Sequence, residues 1–478
     1  WIDAPHATVV TRLQRQFGEL FEAHAARHPG SLVWIPPPEA VPSAGADDGP
    51  ARMAAYLRTG GLANLRHAMR LADTWVASGR SSSALAALAL PPPQAWPARG
   101  LYHPRAPGFF ADVAQWRRWQ GDDGTRPAVA VLVHRHHFID GETAWLDRWL
   151  QLFEEQGLSA YAVFGQQLDA DGLRGLLGAA PPRVLVLHQI SSQSAALQAL
   201  FQAWAAPVLA TQPYRHGNTA AWEADPTGLK LADAPFYLVQ PEAAGAIDPL
   251  VVTAHADGGR RTELIERQAR SVVAKARRLM ALRDTPAAQK QLVAMVYNYP
   301  PGGSNFGASF LNVPRSLEGV SSSLAEAGYA VPLTREAEWI EGLRPLLRAY
   351  YPDADLSALL RSDQAAALPL RDYLAWWQAL PEPLRVRIAA RWGEPATSRY
   401  VVHWQGEPVF VIPRLRVGHL SVLPQPPREE TLRYGQNPFM HRSREPVSHH
   451  YLAVYLWAQR AHALIHFGTH GTQEWAPG

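Results

Sequence analysis

An alternation of short apolar runs with helix-like segments, beginning near residue 126, constrains the fold more than any other feature of this sequence. PAVAVLVH (127–134) precedes a segment of helical periodicity ending at Gly157, and SAYAVFG (159–165) follows. PPRVLVLHQI (181–190) and APVLATQP (206–213) continue the pattern. Continuous β-branched runs are typical of parallel strands covered by helices on both faces. We therefore predict an α/β fold with parallel-sheet units.

A second α/β unit is predicted from QLVAMVYNYP (291–300), which reads as a strand before a glycine-rich loop and a helix. The segment 262–283 predicts a long basic amphipathic helix, and 335–395 reads as mostly helical and rich in Trp. RYVVHWQGEPVFVIP (399–413) predicts a β-hairpin turning at 405–408. The last elements predicted are a helix and a strand over Ala463–Phe467.

Proline clusters and periodicity predict three domains. Residues 1–100 are rich in Ala and Arg and show helical periodicity, and Pro91–Pro93 suggests their boundary. We predict a mostly helical segment over 1–100, an α/β domain over 101–285, and a second α/β domain over 286–478 that holds the start of the functional site. The first residue is not Met and the last motif is cut short, so we expect a fragment of a longer chain.

Composition narrows the functional classes. The sequence contains no Cys, which excludes disulfides, thiolate metal ligands and cysteine nucleophiles. No apolar stretch approaches the roughly 18–20 residues that span a bilayer, and no signal peptide is visible, so we expect a cytoplasmic protein without a membrane span. The net charge is only +3 and the Arg residues are dispersed, which argues against nucleic-acid binding and fits an acidic small molecule better.

The loop PGGSNFGASF (301–310) follows a predicted strand, a position where α/β proteins bind ligands. Its glycines do not have the dinucleotide-binding spacing, and a plain Pro-Gly turn is an alternative interpretation. Asn298 and Asn305 could donate or accept hydrogen bonds to a ligand without adding charge. The whole chain lacks a P-loop motif, so any ATP-driven step would need another polypeptide.

Two histidine-rich stretches remain. In HRHHFID (134–140), one metal ion would use at most two of the three histidines, and a solvated loop is the favoured interpretation. In ALIHFGTHGTQEWAPG (463–478), His466, His470 and Glu474 form a possible N,N,O donor set for a divalent first-row metal. The same groups could transfer protons near neutral pH. Spacing alone does not decide between a core histidine with a capping Glu and a functional site.

Two blocks, LVAMVYNYPPGGSNFGASFLNVPRSLEGVSSSLAEAGYAV and SHHYLAVYLWAQRAHALIHFGTHGTQEWAPG, resemble the large subunits of aerobic cobaltochelatase and of magnesium chelatase. HFGTHG is closest to the magnesium-chelatase version, whereas Glu474-Trp475 looks more like cobaltochelatase. Gln473 and Ala476 stand where the family usually has Leu.

The resemblance implies a tetrapyrrole-binding subunit that inserts Co²⁺ into a corrin ring, hydrogenobyrinic acid a,c-diamide, in cobalamin biosynthesis. The partners it implies are an AAA+ ATPase and a second small subunit, with ATP used by the partner. It implies metal handling and proton transfer by His466, His470 and Glu474, with His449 or His450 as a further ligand. Asn298, Asn305 and three arginines are candidates for substrate binding: Arg414, Arg416 and Arg442.

Three other functions remain open at this point. Within the family, the chain could belong to a magnesium chelatase or could remove metal from a porphyrin. A non-catalytic tetrapyrrole carrier or sensor would belong to another class.

Overall fold

The computed structural model of the protein describes residues 2–3, 34–35, 49–79, 81–122, 126–166, 168–190, 195–256, 261–297, 308, 311–430 and 445–468. The chain divides into two compact units, Trp1–Arg277 (unit 1) and Arg278–Gly478 (unit 2). The three-domain division predicted from the sequence stays a prediction.

Unit 1 is built on a seven-stranded sheet with the strand order β3-β5-β4-β6-β7-β8-β9. Two short strands pair separately, β1 (Ile2–Asp3) and β2 (Trp34–Ile35). The strands of the large sheet are β3 (Arg99–Tyr102), β4 (Ala128–His134), β5 (Ser159–Gly165), β6 (Val184–His188), β7 (Val208–Pro213), β8 (Ala246–His255) and β9 (Thr262–Leu264). Strands β5, β4, β6, β7 and β8 are parallel, and the two edge strands are antiparallel to their neighbours.

Helices alternate with these strands. Those of unit 1 are α1 (Gly49–Thr59), α2 (Leu62–Ala77), α3 (Ser82–Ala87), α4 (Val113–Gln120), α5 (His136–Ile139), α6 (Ala144–Glu154), α7 (Ala170–Leu177), α8 (Ala195–Trp204), α9 (Thr219–Ala224) and α10 (Gln240–Ala243). Helix α11 (Glu266–Asp284) runs across the division between the units. In β4 only the last residue, His134, is not fully buried, as expected for a central strand covered on both faces.

Unit 2 contains two smaller sheets. The first has the order β14-β15-β10-β16 and the second the order β11-β13-β12. Their strands are β10 (Leu292–Val296), β11 (Ala365–Pro369), β12 (Val401–Trp404), β13 (Glu407–Pro413), β14 (Leu415–Val417), β15 (Leu420–Pro424) and β16 (Ala463–Phe467). The helices are α12 (Val313–Glu326), α13 (Glu336–Arg348), α14 (Leu356–Arg361), α15 (Leu370–Gln378), α16 (Glu382–Trp392) and α17 (His449–Ala458).

The central strand β10 is buried on both faces. Leu292, Ala294 and Val296 pack in one core with side chains of α12 and α13. Val293 and Met295 pack in the other core, which includes residues of α17 and of the β11-β13-β12 sheet. This packing places β10 in the middle of unit 2, with one core on each face.

The α/β fold class predicted from the sequence is confirmed, and β16 has the predicted bounds. Two details differ. The Ala-rich stretch 365–369 lies in a segment predicted as mostly helical but forms β11, because it pairs with β13. The hairpin turn is tighter than predicted: only Gln405 and Gly406 connect β12 to β13, and both have positive φ, as a two-residue hairpin turn requires. In the part of the chain that the structure describes, we find no helix with the length and apolarity that crossing a membrane requires.

Candidate functional site

The carboxyl ends of three adjacent strands define the candidate site. β10, β15 and β16 are parallel, and Val296 lies in register with Pro424 on one side and Phe467 on the other. The Tyr297 N–H donates to Phe467 O at 3.2 Å, and the Gln425 N–H donates to Val296 O at 2.7 Å. The chain segments that follow the three strands therefore begin at the same edge of the sheet, where open α/β sheets bind ligands.

Five of the predicted site residues lie outside the described residues: Asn298, Asn305, Arg442, His470 and Glu474. Each belongs to one of the segments that continue from β10, β15 and β16. Their roles stay predictions.

His466 lies in the edge strand β16, one residue before the strand ends. It is in register with Met295, so the two side chains lie on the same face of the sheet. Met295 is buried in the core that includes Val454 of α17. The His466 side chain is exposed, and its ring centroid lies 5.9 Å from that of Tyr455 on the same helix. His466 thus stands on the α17 face, at the edge where the three segments begin.

Two polar residues that the sequence motifs did not indicate lie beside this edge. Gln425, directly after β15, donates from Nε2 to the Tyr455 hydroxyl at 2.9 Å. The Tyr455 ring also packs at 5.0 Å from Tyr451, one helical turn earlier. The spacing of these two tyrosines on a predicted helix is the only sequence signal for a shared face. Tyr455 thus places an aromatic ring next to His466, and the buried Tyr451 packs behind it.

His449, predicted as a possible metal ligand, is fully buried and hydrogen bonded on both ring nitrogens. Its Nε2 lies 2.9 Å from Gly393 O, and its Nδ1 lies 3.0 Å from the Tyr373 hydroxyl. A carbonyl oxygen only accepts, so Nε2 carries the proton and Nδ1 accepts from Tyr373. The lone pair that a metal would need is therefore engaged, and this geometry argues against the predicted ligand role.

His450 is also buried, with 1% of its surface exposed. Its Nε2 donates to Val411 O at 2.9 Å, and its ring stacks on Tyr400 with centroids 3.7 Å apart. Burial lowers the pKa of His450 to about 3, so the ring is neutral at neutral pH. The structure thus gives His450 a packing role in the core of unit 2, which argues against the predicted metal-ligand role.

Arg414 and Arg416, predicted to bind acidic groups of the substrate, both pair with Asp363. Arg416 Nη2 donates to Asp363 Oδ2 at 2.8 Å, while Arg414 contacts Oδ1 and donates to the Asp363 carbonyl at 2.7 Å. The two guanidinium groups lower the pKa of the Asp363 carboxyl. Arg416 lies in register with Ser421, three residues and about 10 Å before the carboxyl end of β15. This placement argues against substrate contact for Arg416, and the ion pair gives both arginines a structural partner.

Glu430, not predicted from the sequence, ends the described part of the segment that follows β15. Its Oε1 accepts from Ser398 Oγ at 2.7 Å, and its carbonyl accepts from the Tyr400 hydroxyl at 2.7 Å. Burial raises the pKa of its carboxyl group. The carboxyl group of Glu430 is therefore partly buried. Glu430 lies on the segment that follows β15.

Among the described residues, no group of three or more His, Asp or Glu side chains is arranged to hold a metal ion. The described residues at the site edge include His466 with its imidazole and Tyr455 with its ring beside it. A complete donor set would require side chains from the segments that continue beyond the edge.

Comparison with protein families decides what kind of chain carries this arrangement. A profile described as CobN/Magnesium Chelatase matches residues 54–478. The chain belongs to the CobN/magnesium chelatase family. The match includes both cores of unit 2 and the three strands at the site edge.

Several members of the CobN/magnesium chelatase family are similar to this chain. The aerobic cobaltochelatase subunit CobN of Pseudomonas aeruginosa is 31% identical over 461 residues, which cover 88% of this chain and 34% of that protein. The H-type subunit of magnesium chelatase from Chlorobaculum parvum is 26% identical, over 80% of this chain and 30% of that protein. The chain thus spans about a third of the length of these relatives.

A solved structure has the same fold. The catalytic subunit of cobaltochelatase from Mycobacterium tuberculosis superposes with a TM-score of 0.66 at 22% identity. The match covers 90% of this chain and 36% of that protein.

Proposed function

We propose that this chain is part of the large, tetrapyrrole-binding subunit of an ATP-dependent metal chelatase that inserts Co²⁺ into a corrin ring, hydrogenobyrinic acid a,c-diamide. The observation that carries the proposal is the common origin, at one sheet edge, of the three segments bearing the predicted site residues. Family membership supports the reaction class. The 31% identity to the cobaltochelatase subunit of Pseudomonas aeruginosa supports a cobalt enzyme.

The chemistry of the proposed ligands suits cobalt, although both histidines lie in the HFGTHG motif that resembles magnesium chelatase. Mg²⁺ prefers oxygen ligands and keeps several of its waters, whereas Co²⁺ accepts imidazole nitrogen readily. Two of the three proposed ligands, His466 and His470, are imidazoles, and the third is the carboxylate of Glu474. A donor set of this kind holds a cobalt ion while leaving positions open for the macrocycle.

Metal insertion requires two events in the same place. The incoming M²⁺ ion exchanges its waters for four ring nitrogens, and two pyrrole N–H groups each lose one proton, so that the ring carries two negative charges. We propose that His466, His470 and Glu474 hold the ion weakly and accept these protons. Neutral imidazole and carboxylate both accept protons near neutral pH.

The proposed substrate contacts differ from the metal contacts. Asn298, Asn305 and Arg442 would bind the polar periphery of the macrocycle, because they lie on the segments that leave the site edge. Arg414 and Arg416 are held by Asp363, and we assign them a role in stabilising unit 2. The half-buried ring of Tyr455 would flank the macrocycle or the approaching ion.

We propose that ATP is consumed by a separate AAA+ ATPase subunit, working with a second small subunit in the cytoplasm. The absence of a P-loop motif from the sequence supports a division of labour of this kind. Conformational changes of the ATPase subunit would then be transmitted to the large subunit through contacts between the two proteins.

The test is a reconstituted insertion assay. The full-length protein, ATP and the two partner subunits are mixed with hydrogenobyrinic acid a,c-diamide and Co²⁺, and in parallel with protoporphyrin and Mg²⁺, and the absorption spectrum is followed. We expect insertion of Co²⁺ only. His470→Ala and Glu474→Gln should abolish insertion while macrocycle binding, measured by tryptophan fluorescence quenching, is retained.

The exposed His403 on β12 provides a matched control, and His403→Ala should insert metal at the wild-type rate. Insertion of Mg²⁺ alone would replace the cobalt assignment. Tight macrocycle binding without insertion of either metal would favour a carrier or sensor. Full activity of both His470→Ala and Glu474→Gln would refute the proposed roles of these residues.

A further inference from the structure

The histidines that follow β4 in unit 1 lie at a topological switch point. β4 is flanked by β5 on one side and β6 on the other, so the chain leaves β4 in one direction and later returns across it. Open α/β sheets bind ligands at the carboxyl ends of the two strands where the direction of winding reverses. His134 is the last residue of β4, and His136 and His137 begin the one-turn helix α5.

The structure does not have the solvated loop that the sequence favoured here. His134 and His137 are half-buried, and only His136 is exposed. The three rings form a cluster of tilted neighbours, with centroids 4.8 Å apart for His134 and His136 and 3.9 Å apart for His136 and His137. The turn into α5 therefore gathers imidazoles that an extended chain would point in different directions.

Two ring nitrogens lie close together in this cluster. Nδ1 of His134 and Nδ1 of His136 are 2.7 Å apart. The backbone N–H of His136 also donates to Nδ1 of His134 at 3.2 Å, so this nitrogen carries a lone pair. The proton between the rings therefore sits on Nδ1 of His136, and a single proton holds the two nitrogens together.

A metal ion can take the place of that proton if the backbone N–H of the exposed His136 exchanges Nδ1 of His134 for water, an exchange that the buried Tyr373–His449 pair does not allow. Two imidazole nitrogens bound to one tetrahedral ion at about 2.0–2.1 Å lie roughly 3.4 Å apart, which requires the rings to separate by only ~0.7 Å. The proton of His136 then moves to its Nε2 through solvent, because this imidazole is exposed and either nitrogen can carry the proton. The exchange leaves both imidazoles neutral and releases no net proton.

Two carboxylates and one guanidinium group act on the pair. Asp140 and Glu142 act electrostatically on His136, while Arg135 opposes them near His134. Partial burial lowers the pKa values of His134 and His136, which keeps them in the neutral form that binds metals. The Nδ1 atom of His137 is buried without a hydrogen-bond partner among the described residues. An unsatisfied nitrogen of this kind beside the pair is a second sign that a ligand belongs here.

We propose that His134 and His136 form a second metal site, in unit 1, for a divalent transition-metal ion such as Co²⁺, Ni²⁺ or Zn²⁺. This proposal does not depend on the proposed function of unit 2. Only two protein ligands are arranged in the described part of the chain, so water or a small-molecule ligand completes the coordination. Such a site binds its ion reversibly and suits an ion in transit.

The test measures metal binding directly, on the full-length protein. Zn²⁺ stoichiometry is measured by equilibrium dialysis, and Cu²⁺ serves as a spectroscopic probe, because electron spin echo spectra count the imidazoles bound to it. We expect His134→Ala/His136→Ala to bind one Zn²⁺ ion fewer than the wild type and to lose a Cu²⁺ signal from two imidazoles. The single variant His136→Asn, at the exposed position, should weaken binding by about tenfold or more, since even outer-shell changes cost ~10–100-fold.

Two further variants separate this site from others. His403→Ala, an exposed histidine of unit 2, should leave the stoichiometry unchanged, whereas His466→Ala should remove only an ion bound at the proposed site of unit 2. Circular dichroism melting checks that each variant is folded. The proposal is overturned if the double variant binds as much Zn²⁺ as the wild type, or if the wild-type Cu²⁺ spectrum contains no pair of equivalent imidazoles. Loss of metal only in His466→Ala would assign the ion to unit 2 instead.

Discussion

Acidification should destabilise unit 2 partly through His450, and a single substitution should remove the share of the acid sensitivity that His450 contributes. The ring of His450 is buried, stacks on Tyr400 and donates to Val411 O. It contributes to the folded state only as the neutral imidazole, because a protonated ring would bury a charge. The replacement His450→Gln keeps an N–H group that can donate to Val411 but has no group that titrates in this range.

The sign and size of this pH effect follow from the difference between the pKa of His450 in the folded state and in the unfolded state. The pKa of His450 is about 3 in the folded state and about 6.5 in the unfolded chain, so on acidification the unfolded state takes up the proton first. Stability is therefore fully present above pH 6.5 and is lost as the pH falls from there towards 3. Between pH 7 and pH 5 the loss amounts to about 2 kcal/mol of unfolding free energy.

Hydrogen exchange measured by mass spectrometry on peptides from β13 and α17 reports the opening free energy of unit 2 itself. Wild type and His450→Gln are compared at pH 7 and pH 5, after correction for intrinsic exchange rates. The variant should be less stable at pH 7 by about 1 kcal/mol, because it loses the ring stack. It should nevertheless lose about 2 kcal/mol less than the wild type on acidification.

The test compares wild type with His450→Gln in the free energy of opening that each loses between pH 7 and pH 5, because other histidines add to the loss in both proteins. Burial also lowers the pKa of His449 in unit 2 and lowers that of His188 in unit 1 to about 3, so each of them contributes its own acid sensitivity. The exposed control His403→Gln should reproduce the wild-type change. Equal acid sensitivity of wild type and His450→Gln in the unit 2 peptides would refute the reasoning.

Three further substitutions test other parts of unit 2. Gly418→Ala should lower the melting temperature by several degrees, because Gly418 has φ of +58° and a Cβ there would clash with Ala330 O. Asp363→Ala should cost roughly 1–3 kcal/mol in denaturant unfolding, because it leaves the buried Arg414 without its carboxylate; an unchanged midpoint would contradict this. Tyr373→Phe should cost about 1 kcal/mol, and a new histidine pKa in NMR titration would mark the released Nδ1 of His449.

The local pattern of the sequence predicts much of this fold. The strands β4, β5, β6 and β10 are continuous apolar runs, which makes them recognisable without knowledge of their partners. The hairpin β12–β13 is likewise local, because its turn and both strands lie within 13 residues. Elements of this kind are determined by neighbouring residues in the chain.

Pairings over long stretches of sequence were not predictable in the same way. β10 pairs with β15 and β16, which follow it by more than a hundred residues, and no local pattern specifies those partners. β11 reads as helix because Ala favours helices, but pairing with β13 outweighs that preference. The burial of His449 and His450 did have a signal. Apart from these two residues, α17 contains only apolar and aromatic side chains, and a helix that is apolar all round is usually buried.

The candidate site likewise combines motifs that the local sequence reveals with strand pairings that it does not. The motifs around Asn298, Arg442 and His470 were visible locally, but only the pairing of β10 with β15 and β16 makes them begin at one edge. That arrangement explains why residues so distant in the sequence can serve one reaction. β16 is the edge strand of this sheet in the described part of the chain, so the segment bearing His470 and Glu474 continues from a strand paired on one side only.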